Sequence, residues 1–438
     1  MLASPFVVME KNSGGLVQAP NGTSPRFSFP PSIVRVLAVL AVLLGLFSVA
    51  GREIRVTTNE LTRNDFTQDY ISAKAWRTDV NPYGPIVDLS RRFLGESATP
   101  GIGPGQVNPH APTEIVFLSP LSALPYRAAR ALWLLLISAS LAFGVGMVAR
   151  GVGVSARASA VIGIGALALP VSQTYLQLVQ FDGLIVLLLA AAWVTLRRGH
   201  DAWAGTALGL AAALKFFPAI MILVLLRERR FRAAGWMVGS AMAVSAVAAL
   251  AMGSANLHRF LSVAAPENFR LWRGAPLNLS LIGVPYRWLT ANTWRPHQPN
   301  LPGLATVIAL VIGCGALAAV VRTPARATRD RFWAAMPWML LAAPLSWEFS
   351  LIYLIPVLLL FGIRMVKESE RAGIATLVTI GILVIGVPPG LGGAVEGGTT
   401  VARTLPYLLL TIALFFVALL EWRHSKDGGK TMTFAPAT

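Results

Sequence analysis

Two carboxylates stand four residues apart in the stretch NDFTQDYISAKAWRTDVNPY, residues 64–83: Asp65 and Asp69. A helix continuing from Asp65 sets both acids on one face. The same helix lines up Phe66, Tyr70 and Ala73 as an apolar strip able to lie on a membrane surface. A carboxylate held at such a boundary suits general-base work on an arriving hydroxyl. The alternative is a solvated loop helix, with Asp65 as its N-cap, a position Asp favours, and Asp69 an ordinary surface acid. A second polar group is scattered through apolar sequence: Gln180 and Asp182 in a short turn, and Lys215 in the run Lys215-Phe216-Phe217-Pro218. A charge buried there costs on the order of 3 kcal/mol unless compensated. A lipid phosphate would compensate it; otherwise the ammonium snorkels to the interface.

The elements that must position these residues are membrane segments. The chain has 438 residues, 55% of them hydrophobic and only 13% charged, whereas a soluble domain carries about a quarter charged residues. Its apolar stretches are continuous, which excludes a closed β-barrel and leaves an all-α integral membrane protein. The net charge of +17 is spread over short clusters at the ends of apolar segments: Arg197 and Arg198, then residues 227–232, 322–331 and 364–371. That is the positive-inside pattern and not a nucleic-acid footprint. The single cysteine, Cys314, excludes an intrachain disulfide. No metal-finger spacing is present; His110, His258 and His297 could meet in space, but no metal ligands are assigned and no cofactor is expected.

In order along the chain, residues 1–32 read as a disordered cytoplasmic tail, and 33–422 as one membrane domain. Its first span, 33–50, acts as a signal anchor. Residues 52–112 form a first outward loop, and 114–124 a short interfacial helix ended by Pro125. Spans at 129–148, 158–175 and 184–196 follow. Segment 203–226 has basic residues at both ends, which a single span would place on opposite sides. A hairpin of two short arms turning at Lys215–Pro218 keeps both ends together and is the favoured reading. Span 234–251 leads to a second outward loop, 253–300, and spans at 301–321, 332–345, 350–363, 374–387 and 405–420 follow. Residues 423–438 read as a second disordered tail.

Both long loops then face outward, and there is no Walker sequence and no Gly-x-Gly-x-x-Gly after a strand. An enzyme on that face needs its activated group delivered on a lipid. Sugar on a polyprenyl phosphate is such a donor, and its leaving phosphate needs cations more than protonation. One carboxylate base would complete the chemistry, whereas a glycosidase needs a carboxyl pair.

At this point a family resemblance enters. Asp65-Phe66, Tyr70, Ala73, Ala75 and Asn81-Pro82-Tyr83 resemble the opening motif of glycosyltransferase family 87, polyprenyl-phosphomannose-dependent α-mannosyltransferases of GT-C type. Further blocks follow in the family's order: Pro112, Ser119-Pro120-Leu121, Leu124-Pro125 and Ala131-Leu132-Trp133; Gly205, Gly209, Leu210, Lys215 and Pro218; Asn278, Ser280-Leu281 and Arg287; Pro344, Ser346-Trp347 and Pro356. Where the family shows Gly-Gln-x-Asn, this chain has Val179-Gln180-Phe181-Asp182, and Glu348 and Phe349 stand where a His often follows Ser-Trp. The resemblance implies a GT-C-type bundle of ten to twelve transmembrane or re-entrant helices, with an interfacial helix in the first outward loop. It implies Asp65 as catalytic base. Asp69, Tyr70, His110, Gln180, Asp182, Lys215, Asn278, Ser280, Arg287 and Glu348 are the candidate substrate-binding residues, with Arg273 a further loop cation. For Asn278 and Ser280 turn formation is the alternative, and for Glu348 interfacial anchoring.

The function expected is transfer of a mannosyl or similar pyranosyl unit from a polyprenyl phosphate to a lipid or glycan acceptor, by inverting single displacement. Partners are the lipid-linked sugar, the acceptor and the bilayer, with no nucleic acid. The setting is a bacterial plasma membrane, from the excess of Arg over Lys, with both termini cytoplasmic and the active site outward. A secondary transporter or lipid-sugar flippase is the alternative; that class carries paired broken helices at the midplane, and no second match to Lys215–Pro218 is visible. A non-catalytic assembly subunit is the third reading.

Overall fold

The computed structural model describes residues 31–54, 64–95, 105–291, 299–323, 330–368 and a few positions between 411 and 418. The two tails, the span at 374–387 and most of that at 405–420 lie outside these. The described residues are helical, with no strand among them. Helices α1 (Pro31–Ile54), α2 (Asp65–Arg77), α3 (Ile86–Leu94) and α4 (Pro112–Leu118) lead to the long α5 (Tyr126–Gly151). Then come α6 (Ala156–Ala166), α7 (Pro170–Leu178), α8 (Asp182–Arg197), α9 (Asp201–Leu214), α10 (Met221–Arg227) and α11 (Phe231–Met252). The last group is α12 (Ser254–Arg259), α13 (Ala265–Trp272), α14 (Gly283–Leu289), α15 (Pro302–Arg322), α16 (Arg331–Ala334), α17 (Met336–Ala342) and α18 (Ile355–Glu368).

Helices α5, α11 and α15 are long and apolar enough to cross a bilayer alone. The expected single span at 158–175 is instead two helices, α6 and α7, bent by 65°. The break falls just before Pro170, which has no N–H to continue α6 and is well placed as the first residue of α7. The span expected at 332–345 is likewise divided: α16 gives way to α17, which has Pro337 in its first turn, and the chain from Ala343 to Trp347 is not helical. Non-helical backbone at this depth is tolerated only when its polar groups are met by protein. Here they are: Leu279 N–H donates to Ser346 O at 2.7 Å and Leu281 N–H to Leu341 O at 3.0 Å.

The path through 203–226 follows from small residues. Gly205 lies against the α11 backbone at Ala233 and Met237, and Gly209 one turn later against Met237 and Ala241. Register rises together on both helices, so α9 and α11 run parallel. A side chain at Gly209 would begin in steric overlap with the fixed Met237 backbone oxygen, which is why only glycine permits this approach. Two parallel helices in sequence require the chain between them to return. A 3₁₀ turn at Phe217–Ile220 and α10 bring it back, and Arg230 closes the base with a 3.1 Å contact to Asp201. The segment is therefore a hairpin with both basic ends on one side. Its first arm, 14 residues long, is about 21 Å at 1.5 Å per residue, which sets Lys215 at its tip, away from the basic ends.

Helix α2 differs from the expected surface helix. Its strip of Phe66, Tyr70 and Ala73 is buried within the protein. Tyr70 packs edge-on against Tyr126, with 5.1 Å between ring centroids, and donates to Leu124 O at 2.7 Å. Helix α4 and the 3₁₀ turn at Leu121–Ala123 cover it from above. Burial on nearly every side turns a loop helix into a fixed wall of the bundle.

Candidate active site

The first residue of α2 is Asp65, and its cap is Asn64, whose side-chain oxygen accepts from Thr67 N–H at 3.2 Å. Asn64 also donates to Tyr126 Oη, and Thr67 Oγ1 lies 2.7 Å from the same hydroxyl. With capping done by its neighbour, the Asp65 carboxylate is released from the role that Asp often plays at a helix start. It sits instead in the wall of a cavity of about 1120 Å³.

The turn after α7 and the hairpin tip also line this cavity. Val179 ends α7 with φ at +57°, a left-handed conformation that a β-branched residue rarely adopts. Trp133 holds it by donating to its carbonyl at 3.2 Å. The turn aims Gln180 across the cavity, where its side-chain N–H donates to Asp65 Oδ2. Its oxygen accepts from Lys215 Nζ at 3.0 Å. Lys215 in turn lies 2.6 Å from Asp182 Oδ2 and 5.2 Å above the Phe349 ring. Asp182 is wholly buried and also accepts from Tyr353 Oη at 2.7 Å. A relay of hydrogen bonds therefore joins acid to cation, Asp65 to Gln180 to Lys215 to Asp182. The ammonium neither snorkels nor depends on a ligand for its compensation; Asp182 supplies the counter-charge from within. An ammonium has three protons, and two are engaged in these contacts, leaving one for an occupant of the cavity that Lys215 lines.

His110 lines the same cavity. Its Nδ1 is 2.5 Å from Asp69 Oδ1 and 3.7 Å from Glu114 Oε2. Asp69 is not on the wall but behind it, held by Asn108, which donates to Asp69 Oδ1 at 3.1 Å and to Ser72 Oγ at 3.0 Å. Neither Asn108 nor Glu114 is singled out by the sequence pattern. The only trace of them is the four-residue spacing of His110 and Glu114 and an acid at the head of an apolar run.

Burial disfavours charge on Asp65 and pushes its pKa up, against the opposing pull of His110, of the Gln180 N–H and of Lys215. Burial would lower His110, but Asp69 and Glu114 outweigh it and lift the imidazole to about 9. Glu114 is pushed up to about 7, by burial first and Asp69 next, with His110 opposing.

The remaining candidates belong to the frame. Arg287 is 2% exposed, and its guanidinium donates to the carbonyls of Ala275 and Asn278. It does not line the cavity and does not converge with Asp65 and Lys215 as a phosphate ligand would. Asn278 accepts from Ser280 N–H and Ser346 N–H and donates to Arg273 O and Pro344 O. Ser280 Oγ caps Ile282 N–H and reaches Leu341 O. These side chains stitch the second long loop to the non-helical segment before α18, the turn-forming role. Tyr70 and Asp182 likewise stand outside the cavity lining, as does Glu348, half-buried beside it. Arg273 lies over the Tyr286 ring at 4.3 Å. His258 is exposed on α12 and contacts Ser262, apart from the cavity; His297 lies outside the described residues.

The lining also includes the apolar Phe260, Phe269, Trp272, Leu277 and Trp347, beside polar groups such as Gln106, Gln177 and Asn268. An acid, a cation and an imidazole thus share a chamber that also presents a greasy wall. The sequence profile of glycosyltransferase family 87 matches residues 109–350. This chain belongs to glycosyltransferase family 87. No curated protein matches it. As a family 87 member it is a membrane glycosyltransferase. The matched span contains His110, Gln180, Asp182 and Lys215 but begins after Asp65 and Asp69, so the fold alone joins the two acids of the opening motif to the family 87 region.

Proposed function

We propose that this glycosyltransferase moves a mannosyl or similar pyranosyl unit from a polyprenyl phosphate to a hydroxyl of a lipid or glycan acceptor. The observation that carries the reading is the relay from Asp65 through Gln180 to Lys215 across one cavity. The acceptor oxygen attacks the anomeric carbon while the bond from that carbon to the phosphate oxygen breaks. Asp65 takes the hydroxyl proton, and the bonding pair leaves with the phosphate, whose growing charge the free Lys215 proton meets. Attack opposite the leaving group inverts the anomeric centre. The apolar side chains of Phe260, Phe269 and Trp272 suit the prenyl tail, and the basic helix ends support a chamber on the non-cytoplasmic face of a GT-C-type bundle. Both termini are then cytoplasmic, in a bacterial plasma membrane.

The test uses purified protein in proteoliposomes with polyprenyl-phosphate [¹⁴C]mannose and an envelope lipid extract as acceptor pool. Wild type should pass label to the extract, and Asp65→Asn should lose on the order of 10²-fold or more in rate. Undiminished turnover in Asp65→Asn sinks the assignment of the base. Label that crosses the bilayer still attached to its prenyl phosphate would make the protein a transporter instead.

A further inference from the structure

Beside the relay lies a cluster that the transfer step does not use. Asp69, His110 and Glu114 each offer one ligand atom, and these three atoms fall within 4.8 Å of one another. Glu114 is 4% exposed, and its Oε2 makes no hydrogen bond although it faces the imidazole nitrogen at 3.7 Å. A buried carboxylate oxygen with no donor is costly, and Oε2 faces the same His110 nitrogen that meets Asp69. We propose that Asp69, His110 and Glu114 form a binding site for one divalent cation of the zinc or manganese type.

The donor set is two carboxylate oxygens and one imidazole nitrogen. Zinc bonds to such atoms at about 2.0–2.2 Å, which spaces ligand atoms by roughly 3–3.5 Å around the ion. Two separations, 2.5 Å from His110 to Asp69 and 3.7 Å from His110 to Glu114, lie either side of that value, and Asp69 and Glu114 are within 4.8 Å of each other. Side-chain rotations on these elements would draw the three groups together around an ion. Mg²⁺ and Ca²⁺ prefer all-oxygen shells of six or more, so an imidazole here favours zinc or manganese.

A supporting layer is present. Asn108, fully buried, donates to Asp69 Oδ1 and to Gln68 O, and its own oxygen accepts from His110 N–H at 2.9 Å. One amide therefore holds the Asp69 carboxylate, as partners behind metal ligands do, and fixes the backbone that carries His110. The proton shared in the metal-free state by His110 and Asp69 would be displaced on binding. Since His110 and Glu114 line the cavity, the ion would keep an open position toward it, the arrangement of working rather than purely structural metal sites. An anionic oxygen of an occupant could fill that position. The cation site stands or falls independently of the proposed transfer, because its test reads binding.

Full-length protein purified in detergent and stripped with EDTA would be titrated with Mn²⁺, followed by EPR, and with Zn²⁺ in competition. One ion per chain is expected. Glu114→Gln and His110→Ala should abolish that stoichiometric site, and Asn108→Ala should weaken it about 10–100-fold. Melting curves of each metal-free variant separate lost binding from lost folding. X-ray absorption at the zinc edge of the wild-type protein needs no variant at all: it should show one imidazole among oxygen ligands. No stoichiometric ion in wild type, unchanged affinity in Glu114→Gln, or an oxygen-only shell would each overturn the proposal.

Discussion

Replacing Asp182 by Asn strands Lys215. In the wild-type protein the ammonium is 2.6 Å from a carboxylate whose side chain is 0% exposed, and its own side chain is 13% exposed. Asparagine keeps the shape and the acceptors for Tyr353 and Ser350 but removes the counter-charge. Losing one partner of a buried pair costs about 3–5 kcal/mol, while removing both charges together is often neutral. Asp182→Asn should therefore destabilise the protein by roughly that amount, and Asp182→Asn with Lys215→Met should recover most of it. Stability is read by titration with SDS in mixed micelles, and transfer by the radiolabel assay on the same preparations. The double variant should be folded but inactive, because its cavity has lost the ammonium proposed to meet the leaving phosphate. A loss of under about 1 kcal/mol in Asp182→Asn, typical of an exposed pair, would refute the claim that the pair is buried. A stable double variant with wild-type turnover would refute the role given to Lys215.

Asp65 is raised by burial, so the fold binds its proton more tightly than the unfolded chain does. Its stability contribution is greatest at low pH and falls as pH rises through the raised value. At neutral pH Asp65→Asn should thus unfold no more easily than wild type while losing transfer. The kcat/KM profile of wild type should show an acid limb above the ordinary carboxylate range; a limb at that ordinary range would contradict the buried setting. Asn278→Ala removes the acceptor of two backbone N–H groups and the donor to two carbonyls. A loss of about 1–3 kcal/mol, measured by the same SDS titration, is expected. For the hairpin, Cys314→Ser provides a cysteine-free background in which Arg198→Cys and Arg229→Cys are labelled with an impermeant maleimide in oriented vesicles. Both should react from one side; labelling from opposite sides would restore a single span. Gly209→Val should prevent α9 from docking on α11, read as loss of folded protein on size exclusion.

The hairpin was legible because topology writes itself in composition. Basic residues at both ends of 203–226 cannot be separated by a bilayer without violating charge asymmetry, and Gly205 and Gly209 mark the close helix contact that the parallel register requires. The fold class was legible for the same reason: continuous apolar stretches with few charges admit only helices. What the pattern hid was where helices break. Pro170 lies within an apolar stretch, and hydropathy alone joins α6 to α7 as one span; whether the freed backbone bends by 65° depends on what surrounds it.

Within the candidate site, residue types drew attention to Asp65, His110 and Lys215 without showing which groups they contact. Asn64 and Asp65 are both good caps, and a one-residue register decides which of them is freed for chemistry; only the contact of Asn64 with Tyr126, 62 positions away, settles it. Lys215 looked like a cation in need of an anion, and the anion is Asp182, brought in by the antiparallel packing of α8 and α9. Arg287 looked like a loop cation free for phosphate, yet backbone carbonyls of its own loop consume it. In each case the residue type announced a demand for charge or hydrogen bonds, and the tertiary fold chose whether a ligand or the protein itself would meet it. That choice separates Lys215, which lines the cavity and has a proton to give, from Arg287, whose burial and carbonyl contacts make it an anchor for the loop.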